Sequence, residues 1–136
     1  MSPDDRPTVI FLCVHNAGRS QIAAAFMRHL ADDRVEALSG GSDPAATLNP
    51  TVVEAMAERD IDITSRTPRR WTDEDLHAAD VIVTMGCGDE CPVIPGKRYV
   101  DWELDDPSGQ SIEKVRAIRD EIESRVRSLL DELISR

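Results

Sequence analysis

The chain has 136 residues, of which 40% are hydrophobic, and it carries a formal net charge of −10 at pH 7. This acidic balance argues against nucleic acids and anionic membranes as partners, and no apolar run approaches the roughly 20 residues of a membrane span. The length fits one folded domain over residues 1–136, with residues 1–7 expected to be flexible. Three cysteines, an odd number, are unlike the disulfide framework of a secreted protein, so we expect a cytoplasmic protein.

The first predicted element is a buried strand, Thr8–Val14, followed by a helix that ends near Ala31. Residues Val9–Leu12 are all apolar, which is typical of a strand that is covered on both faces of a parallel sheet. The segment Gln21–Leu30 is strongly helix-forming. The loop between these elements therefore lies at a helix N-terminus, where free backbone N–H groups and the helix dipole favour a bound anion.

This loop also contains a candidate nucleophile, Cys13, and a candidate anion ligand, Arg19, in the pattern Cys-x5-Arg. Arg19 can donate a bidentate pair of hydrogen bonds to an oxyanion, and Gly18 permits a backbone angle that other residues resist. The same field favours a Cys13 thiolate, to which Ser20 can donate a hydrogen bond. The alternative is a buried structural cysteine beside a capped helix. We predict no metal at this site. The predicted oxyanion-binding loop consists of Val14, His15, Asn16, Ala17, Gly18, Arg19 and Ser20.

The pattern Cys13-x5-Arg19-Ser20 resembles the active-site loop of the low-molecular-weight protein tyrosine phosphatase superfamily. Asn16 and the pair Ser20-Gln21 are more similar to the arsenate reductase branch of that superfamily, which is coupled to thiol relays. The resemblance covers nearly the whole chain, because later motifs follow in the expected order.

Strand and helix signals alternate along the rest of the chain. A predicted strand, Val35–Ser39, turns at Gly40-Gly41, and Asn49-Pro50 predicts the cap and the first residue of a helix. Thr72 predicts the cap of a short helix. This alternation predicts an α/β fold, a three-layer doubly wound parallel sheet of about four strands with helices on both faces. The later predicted elements are two strands, Val81–Met85 and Arg98–Trp102, and a long amphipathic helix, Ser111–Arg136.

Two further features concern possible partners. The loop Arg69-Arg70-Trp71 could form a docking patch, but we favour a solvated loop with one packed aromatic side chain. The tail helix is expected to cover one face of the sheet in a monomer, with a coiled-coil dimer as the alternative. Ala24 stands where some relatives carry an acidic residue that helps bind potassium, so no potassium site is predicted.

The other two cysteines, Cys87 and Cys91, follow the predicted strand Val81–Met85. Because parallel strands end at one edge of a doubly wound sheet, where ligands bind, Cys13 and Cys87 are expected at the same edge. The spacing of Cys87 and Cys91 allows sulfur exchange, although a rigid helix would strain a disulfide between them. Zinc ligation and a purely structural role are the alternatives.

This segment also resembles the reductase branch, where two further cysteines follow the same strand. The resemblance implies that Cys87 attacks the cysteine–arsenic adduct and that Cys91 resolves the resulting disulfide. The gap between them is shorter here than in the best-known triple-cysteine members. Some relatives instead release arsenic through an external small thiol, mycothiol or glutathione, with a glutaredoxin-like partner, and this alternative stays open.

The last motif is Asp106-Pro107, in which the proline biases the aspartate towards an extended conformation and starts a turn. In the superfamily that the chain resembles, an aspartate directly before proline on this loop is the general acid. Asp106 matches that position, and Asp105 is the second candidate. The superfamily's phosphotyrosine phosphatases usually carry tyrosines after this pair, whereas Ser108-Gly109-Gln110 follows here, which counts against a phosphotyrosine substrate.

The resemblance therefore implies an arsenate reductase of arsenic detoxification, acting through a Cys13–arsenic adduct and a second thiol from Cys87 or from an external compound. It implies no tightly bound cofactor, thioredoxin or a glutaredoxin-like protein as partner, and phosphate or sulfate as competing oxyanions. One alternative is a low-molecular-weight phosphatase that hydrolyses phosphomonoesters. Another is a cysteine phosphocarrier of a sugar-transport system, for which Arg19 and Asp106-Pro107 would not be needed.

Overall fold

The computed structural model describes residues 6–86 and 94–134, so the predicted lead-in over residues 1–7 lies mostly outside it. Its strands are β1 (Thr8–Cys13), β2 (Glu36–Gly41), β3 (Val81–Thr84) and β4 (Arg98–Asp101). They form one parallel sheet in the order β2-β1-β3-β4. The predicted strands are confirmed, with boundaries that differ by one or two residues.

The sheet is built around β1, in which Val9–Cys13 are buried. On one side Cys13 lies opposite Gly41 of β2, and on the other side Leu12 lies opposite Thr84 of β3. The chain leaves β1 towards β2 on one side and reaches β3 on the other, so the end of β1 is the topological switch point. Open α/β sheets bind ligands at this point, and the loop after Cys13 occupies it.

The described helices cover both faces of the sheet. Alternate residues of β1 point to opposite faces, so Val9 and Phe11 pack in the core shared with three of the helices, while Ile10 and Leu12 pack beside Trp71 and the remaining one. The predicted three-layer architecture is confirmed. None of these helices combines the length and the apolar character needed to cross a lipid bilayer. The helices are α1 (Arg19–Ala31), α2 (Pro50–Ala57), α3 (Asp73–Ala78) and α4 (Ile112–Ile134), of which α3 packs on the second face.

Both predicted helix caps are present. The Asn49 side chain accepts hydrogen bonds from the first-turn N–H groups of α2, and Pro50 occupies its first position. At α3, Thr72 Oγ1 accepts from Asp75 N and Asp75 Oδ2 accepts from Thr72 N, both at 3.1 Å. These side chains satisfy N–H groups that have no partner inside a helix, which explains where α2 and α3 begin.

The prediction that Gly40-Gly41 forms a turn is wrong, because both glycines belong to β2. Their role is to allow close approach of neighbouring backbone. A Cβ at residue 40 would lie 2.9 Å from Trp71 N, and one at residue 41 would lie 2.5 Å from Val14 O. The strand therefore continues alongside β1 up to the level of Cys13, where a larger residue would push the loop away.

Ion pairs fasten the C-terminal end of α2 to α4. The Glu58 carboxylate accepts hydrogen bonds from Arg116 at 2.7 Å and from the buried Arg119 at 2.8 Å. Arg59 forms a second link with Glu123. The hydrogen bonds from Arg116 and Arg119 lower the pKa of Glu58 from 4.5 to about 2.

This lowered pKa gives the fold a dependence on acid. A carboxylate whose pKa is lower in the folded than in the unfolded chain stabilises the fold above about pH 4.5, and the contribution is lost as the pH falls towards 2. We predict that Glu58→Gln lowers the free energy of unfolding at neutral pH and makes it fall less between about pH 5 and pH 3. Urea denaturation at each pH measures both effects.

Glu121→Gln is the matched control, because Glu121 pairs with Arg125 one turn away within α4 and the pair does not join two helices. This control is expected to leave most of the acid dependence in place. An equal change in acid dependence for the two variants would contradict the assignment to Glu58.

Candidate active site

The predicted oxyanion-binding loop connects β1 to α1 at the switch point of the sheet. Cys13 ends β1 and is 3% exposed. The first hydrogen bond of α1 runs from Ile22 N to Gly18 O at 2.9 Å, so the N–H groups of residues 19–21 have no partner inside the helix. A loop in this position, with the positive end of a 13-residue helix behind it, is suited to bind an anion.

A short chain of hydrogen bonds leads to the Cys13 sulfur. Cys13 Sγ lies 2.9 Å from Ser20 Oγ, and Asn16 Nδ2 donates to the same Ser20 oxygen at 2.6 Å. Because Ser20 Oγ accepts this hydrogen bond from Asn16, the hydroxyl proton of Ser20 is free to point at the sulfur. The Asn16 backbone N–H also donates to Sγ at 3.3 Å. Both contacts favour a thiolate, the form of cysteine that acts as a nucleophile.

The Asn16 side chain is fully buried and its amide orientation is determined by its surroundings. Its Oδ1 accepts hydrogen bonds from Gln21 Nε2 at 3.1 Å and from Arg69 N at 3.0 Å. Since both neighbours are donors, the oxygen must face them and the NH₂ group must face Ser20. The sequence placed Asn16 in the loop but gave no indication of these two partners.

The structure adds a steric reason for glycine at residue 18. Asn16 adopts the left-handed backbone of the loop, with φ 51°, whereas Gly18 has φ −138°. Gly18 is needed for space, because a Cβ there would lie 2.7 Å from Pro107 Cγ. The missing side chain lets the Asp106-Pro107 turn lie directly against the loop.

Arg19 links this loop to the chain beyond β4. It is 8% exposed, and its guanidinium donates to Leu104 O at 3.3 Å and lies 3.8 Å from Asp106 Oδ2. Gly86, with φ +88°, packs against the same group, and a Cβ there would lie 2.5 Å from Arg19 Nη1. Two distant segments therefore hold Arg19 beside the loop.

The two candidate acids differ in their surroundings. Asp106 is half-exposed, lines the cleft above Cys13 and accepts a hydrogen bond from Ser108 N at 2.9 Å. Asp105 instead pairs with Lys114 at 2.6 Å, and the hydrogen bond from Lys114 lowers the pKa of Asp105 below its ordinary value. Asp105 is thus bound to Lys114 and does not line the cleft, so Asp106 is the better-placed acid.

The cleft over Cys13 has a volume of about 430 Å³. The Asn49 side chain, which caps α2, also donates to Pro107 O at 3.4 Å and so joins two of its walls. His15 is held by a 3.1 Å contact between its Nδ1 and Asp43 O. The walls come from the oxyanion-binding loop, from the start of α2 and the segment before it, and from the Asp106-Pro107 turn. Their residues include His15, Ala17, Gly18, Arg19, Thr47, Asn49, Asp106 and Ser108.

Cys87 and Cys91 lie outside the described residues. The structure does show that β3 ends next to the site, because Met85 N donates to Leu12 O and Gly86 contacts Arg19. The proposed relay cysteines therefore stay predictions. Of the other predicted site residues, Cys13, Arg19 and Asp106 converge on one cleft, with Ser20 and Asn16 behind the sulfur.

Comparison with known proteins gives one family. The family model described as low molecular weight phosphotyrosine protein phosphatase matches residues 8–136. A Halobacterium salinarum protein with the provisional name of arsenate reductase is 44% identical, over 97% of this chain and 96% of its own length. Arsenate reductase 1 of Bacillus cereus is 38% identical, over 91% of this chain and 94% of its own.

The names of two further matches include thioredoxin or glutaredoxin. The solved thioredoxin-dependent arsenate reductase of Corynebacterium glutamicum is 44% identical with a TM-score of 0.81, covering 94% of this chain. Our chain spans only 61% of the length of that solved chain. The glutaredoxin arsenate reductase of Synechocystis is 32% identical, over 90% of this chain and 95% of its own length.

The contact between Gly18 and Pro107 can be tested by a double-mutant cycle. A methyl group at residue 18 must displace the proline ring, so Gly18→Ala is expected to lower the free energy of unfolding by about 1–3 kcal/mol. In a Pro107→Ala background, where the ring is absent, the same substitution should cost clearly less. Urea denaturation of the four proteins measures the difference, and equal costs in the two backgrounds would show that this contact does not limit residue 18.

Proposed function

The chain belongs to the low-molecular-weight phosphotyrosine protein phosphatase family, and we propose that it is an arsenate reductase, which converts arsenate to arsenite with electrons from thiols. The observation that supports this most directly is a cysteine at the floor of an oxyanion cleft, with its sulfur 2.9 Å from a serine hydroxyl that can donate to it. Relatives that match this chain over most of their own length carry the same activity in their names.

In the first step the loop binds arsenate and Cys13 attacks it. The backbone N–H groups at the start of α1 and the Arg19 guanidinium bind the oxyanion. The Cys13 thiolate forms a bond to arsenic, and one arsenic–oxygen bond breaks. Asp106, which lies 3.8 Å from Arg19 at the cleft, protonates the departing hydroxyl group of arsenate so that it leaves as water.

The second step transfers the electrons. A second thiolate attacks the Cys13 sulfur, a sulfur–sulfur bond forms and the sulfur–arsenic bond breaks. Arsenic keeps the electron pair of that bond and leaves as arsenite, so two thiols have been oxidised to a disulfide and arsenic has gained two electrons. An external thiol reductant then restores the reduced protein.

The source of the second thiol has two candidates. The Corynebacterium relative is named as thioredoxin-dependent, and the name of the Synechocystis relative includes glutaredoxin. In this chain Cys87 could supply the attacking thiol and Cys91 could resolve the disulfide, which thioredoxin would then reduce. Alternatively, a small thiol such as mycothiol or glutathione attacks Cys13 and a glutaredoxin-like protein completes the cycle.

A single-turnover experiment tests the reaction and separates these candidates. Fully reduced protein is mixed with arsenate without added thiol, and arsenite and the remaining free thiols are counted. With an internal relay we predict near-stoichiometric arsenite, loss of two thiols, and no arsenite from Cys13→Ser, since an alcohol is far less ionised than a thiol. Cys87→Ser should then release arsenite only when an external thiol is added.

Two outcomes would change this assignment. Equal arsenite release from wild type and Cys87→Ser without added thiol would exclude Cys87 as the attacking group. If arsenite forms neither alone nor with a small thiol and its glutaredoxin-like partner, while a phosphomonoester is hydrolysed, the protein is a phosphatase that shares only the first step.

The identity of the general acid gives a separate prediction. Asp106→Asn is expected to slow turnover by roughly 10²–10⁴, because the amide cannot protonate the leaving oxygen. Asp105→Asn is the matched control, since Asp105 is the adjacent residue and is paired with Lys114 outside the cleft. Steady-state rates with saturating thiol reductant measure both variants, and the opposite ranking would reassign the acid to Asp105.

A further inference from the structure

The loop before α3 contains an arginine that forms hydrogen bonds through both its backbone and its guanidinium. Arg69 N donates to Asn16 Oδ1 at 3.0 Å, and Arg69 O accepts from Gly41 N at 2.9 Å. Its guanidinium donates to Ser39 O at 3.0 Å and to Asp75 Oδ2 at 2.6 Å. Residue 69 is thus fixed to β2, to α3 and to the oxyanion-binding loop at once, although it belongs to no helix or strand.

The Asp75 end of this clamp is itself held in place. Asp75 also accepts from Thr72 N in the capping box of α3. Burial opposes the ionisation of Asp75, but the hydrogen bonds from Arg69 and Thr72 outweigh it and leave its pKa below the ordinary value. Asp75 is therefore a carboxylate at neutral pH, and the cap of a surface helix anchors the guanidinium of Arg69.

The backbone of Arg69 in turn determines what the Asn16 amide can do. Asn16 Oδ1 has two donors, Arg69 N and Gln21 Nε2, and these keep Nδ2 directed at Ser20 Oγ. If Arg69 N moved away, the amide could rotate or Asn16 could shift. Ser20 would then lose the hydrogen bond that directs its proton at Cys13.

We propose that Arg69, clamped by Asp75, is a positioning residue that orients the Asn16 amide and, through Ser20, favours the thiolate of Cys13. It acts through these neighbours without lining the cleft. This role depends on Cys13 being the nucleophile, as proposed above, but not on arsenate being the substrate. A phosphatase with the same loop would need the same residue.

The test is the pH profile of Cys13 alkylation by iodoacetamide, followed by mass spectrometry of the peptide that contains Cys13. We expect Arg69→Ala to move the midpoint of the profile upward by about one pH unit, as for the loss of one hydrogen bond to a charged group, and so to slow alkylation at pH 7 by up to about tenfold. Arg69→Lys, which can still pair with Asp75, should recover part of the rate. The titratable and charged groups that line the cleft with Cys13, namely Arg19, His15 and Asp106, are unchanged in these variants.

A double-mutant cycle separates positioning from a general loss of structure. In a Ser20→Ala background the hydroxyl is absent, so Arg69→Ala should change the alkylation profile little further. Arg98→Gln is the control, because Arg98, on β4, forms an exposed ion pair with Glu132 at 2.8 Å and, among the described residues, makes no hydrogen bond to the oxyanion-binding loop. Arg98→Gln is expected to keep the wild-type profile.

A second variant keeps the test valid if Arg69→Ala fails to fold. Asp75→Asn retains an acceptor oxygen but loses the charge, and we expect a smaller upward shift of the same profile. The proposal is overturned if folded Arg69→Ala or Asp75→Asn alkylates with the wild-type profile, or if Arg69→Ala has its full effect in the Ser20→Ala background. Because alkylation needs no arsenate, failure here is distinguishable from failure of the proposed reductase activity.

Discussion

The buried amide of Asn16 is the interaction on which the site depends. A fully buried amide must find partners for its polar atoms, and here they come from the loop itself, from α1 and from a segment 53 residues away. Asn16 also has the left-handed backbone that turns the loop, with φ 51°. One residue therefore sets both the path of the loop and the direction in which a proton points at Cys13.

Around this amide the site is assembled by contacts that leave no room for side chains. Residue 18 contacts the Asp106-Pro107 turn, residue 41 contacts the carbonyl of Val14, and residue 86 contacts Arg19, each at a distance where a Cβ would clash. All three positions are glycine. Because protein interiors resist compression, such contacts fix the distance between segments more strictly than flexible side chains do. The hydrogen bonds behind the Cys13 sulfur and the close contacts at the three glycines together explain why Cys13, Arg19 and Asp106 converge.

Much of this arrangement follows from local signals in the sequence. The apolar run before Cys13, the helix-forming run after Ser20 and the caps at Asn49 and Thr72 all act within a few residues, so the strand, the loop and the helix starts could be predicted. The parallel sheet then brings the ends of its strands together. The role of Arg69 could not be predicted in this way, because its partners are determined by tertiary packing.

The double use of Asn49 has a consequence for how the cleft can deform. Its oxygen caps α2 while its NH₂ group bonds Pro107, and the other end of α2 is tied to α4 through Glu58. Hydrogen bonds to other segments therefore hold this helix of eight residues at both ends. A ligand that is too large for the cleft cannot displace α2 without breaking a hydrogen bond at one of its ends. Adaptation to different reactants therefore falls to the remaining walls of the cleft.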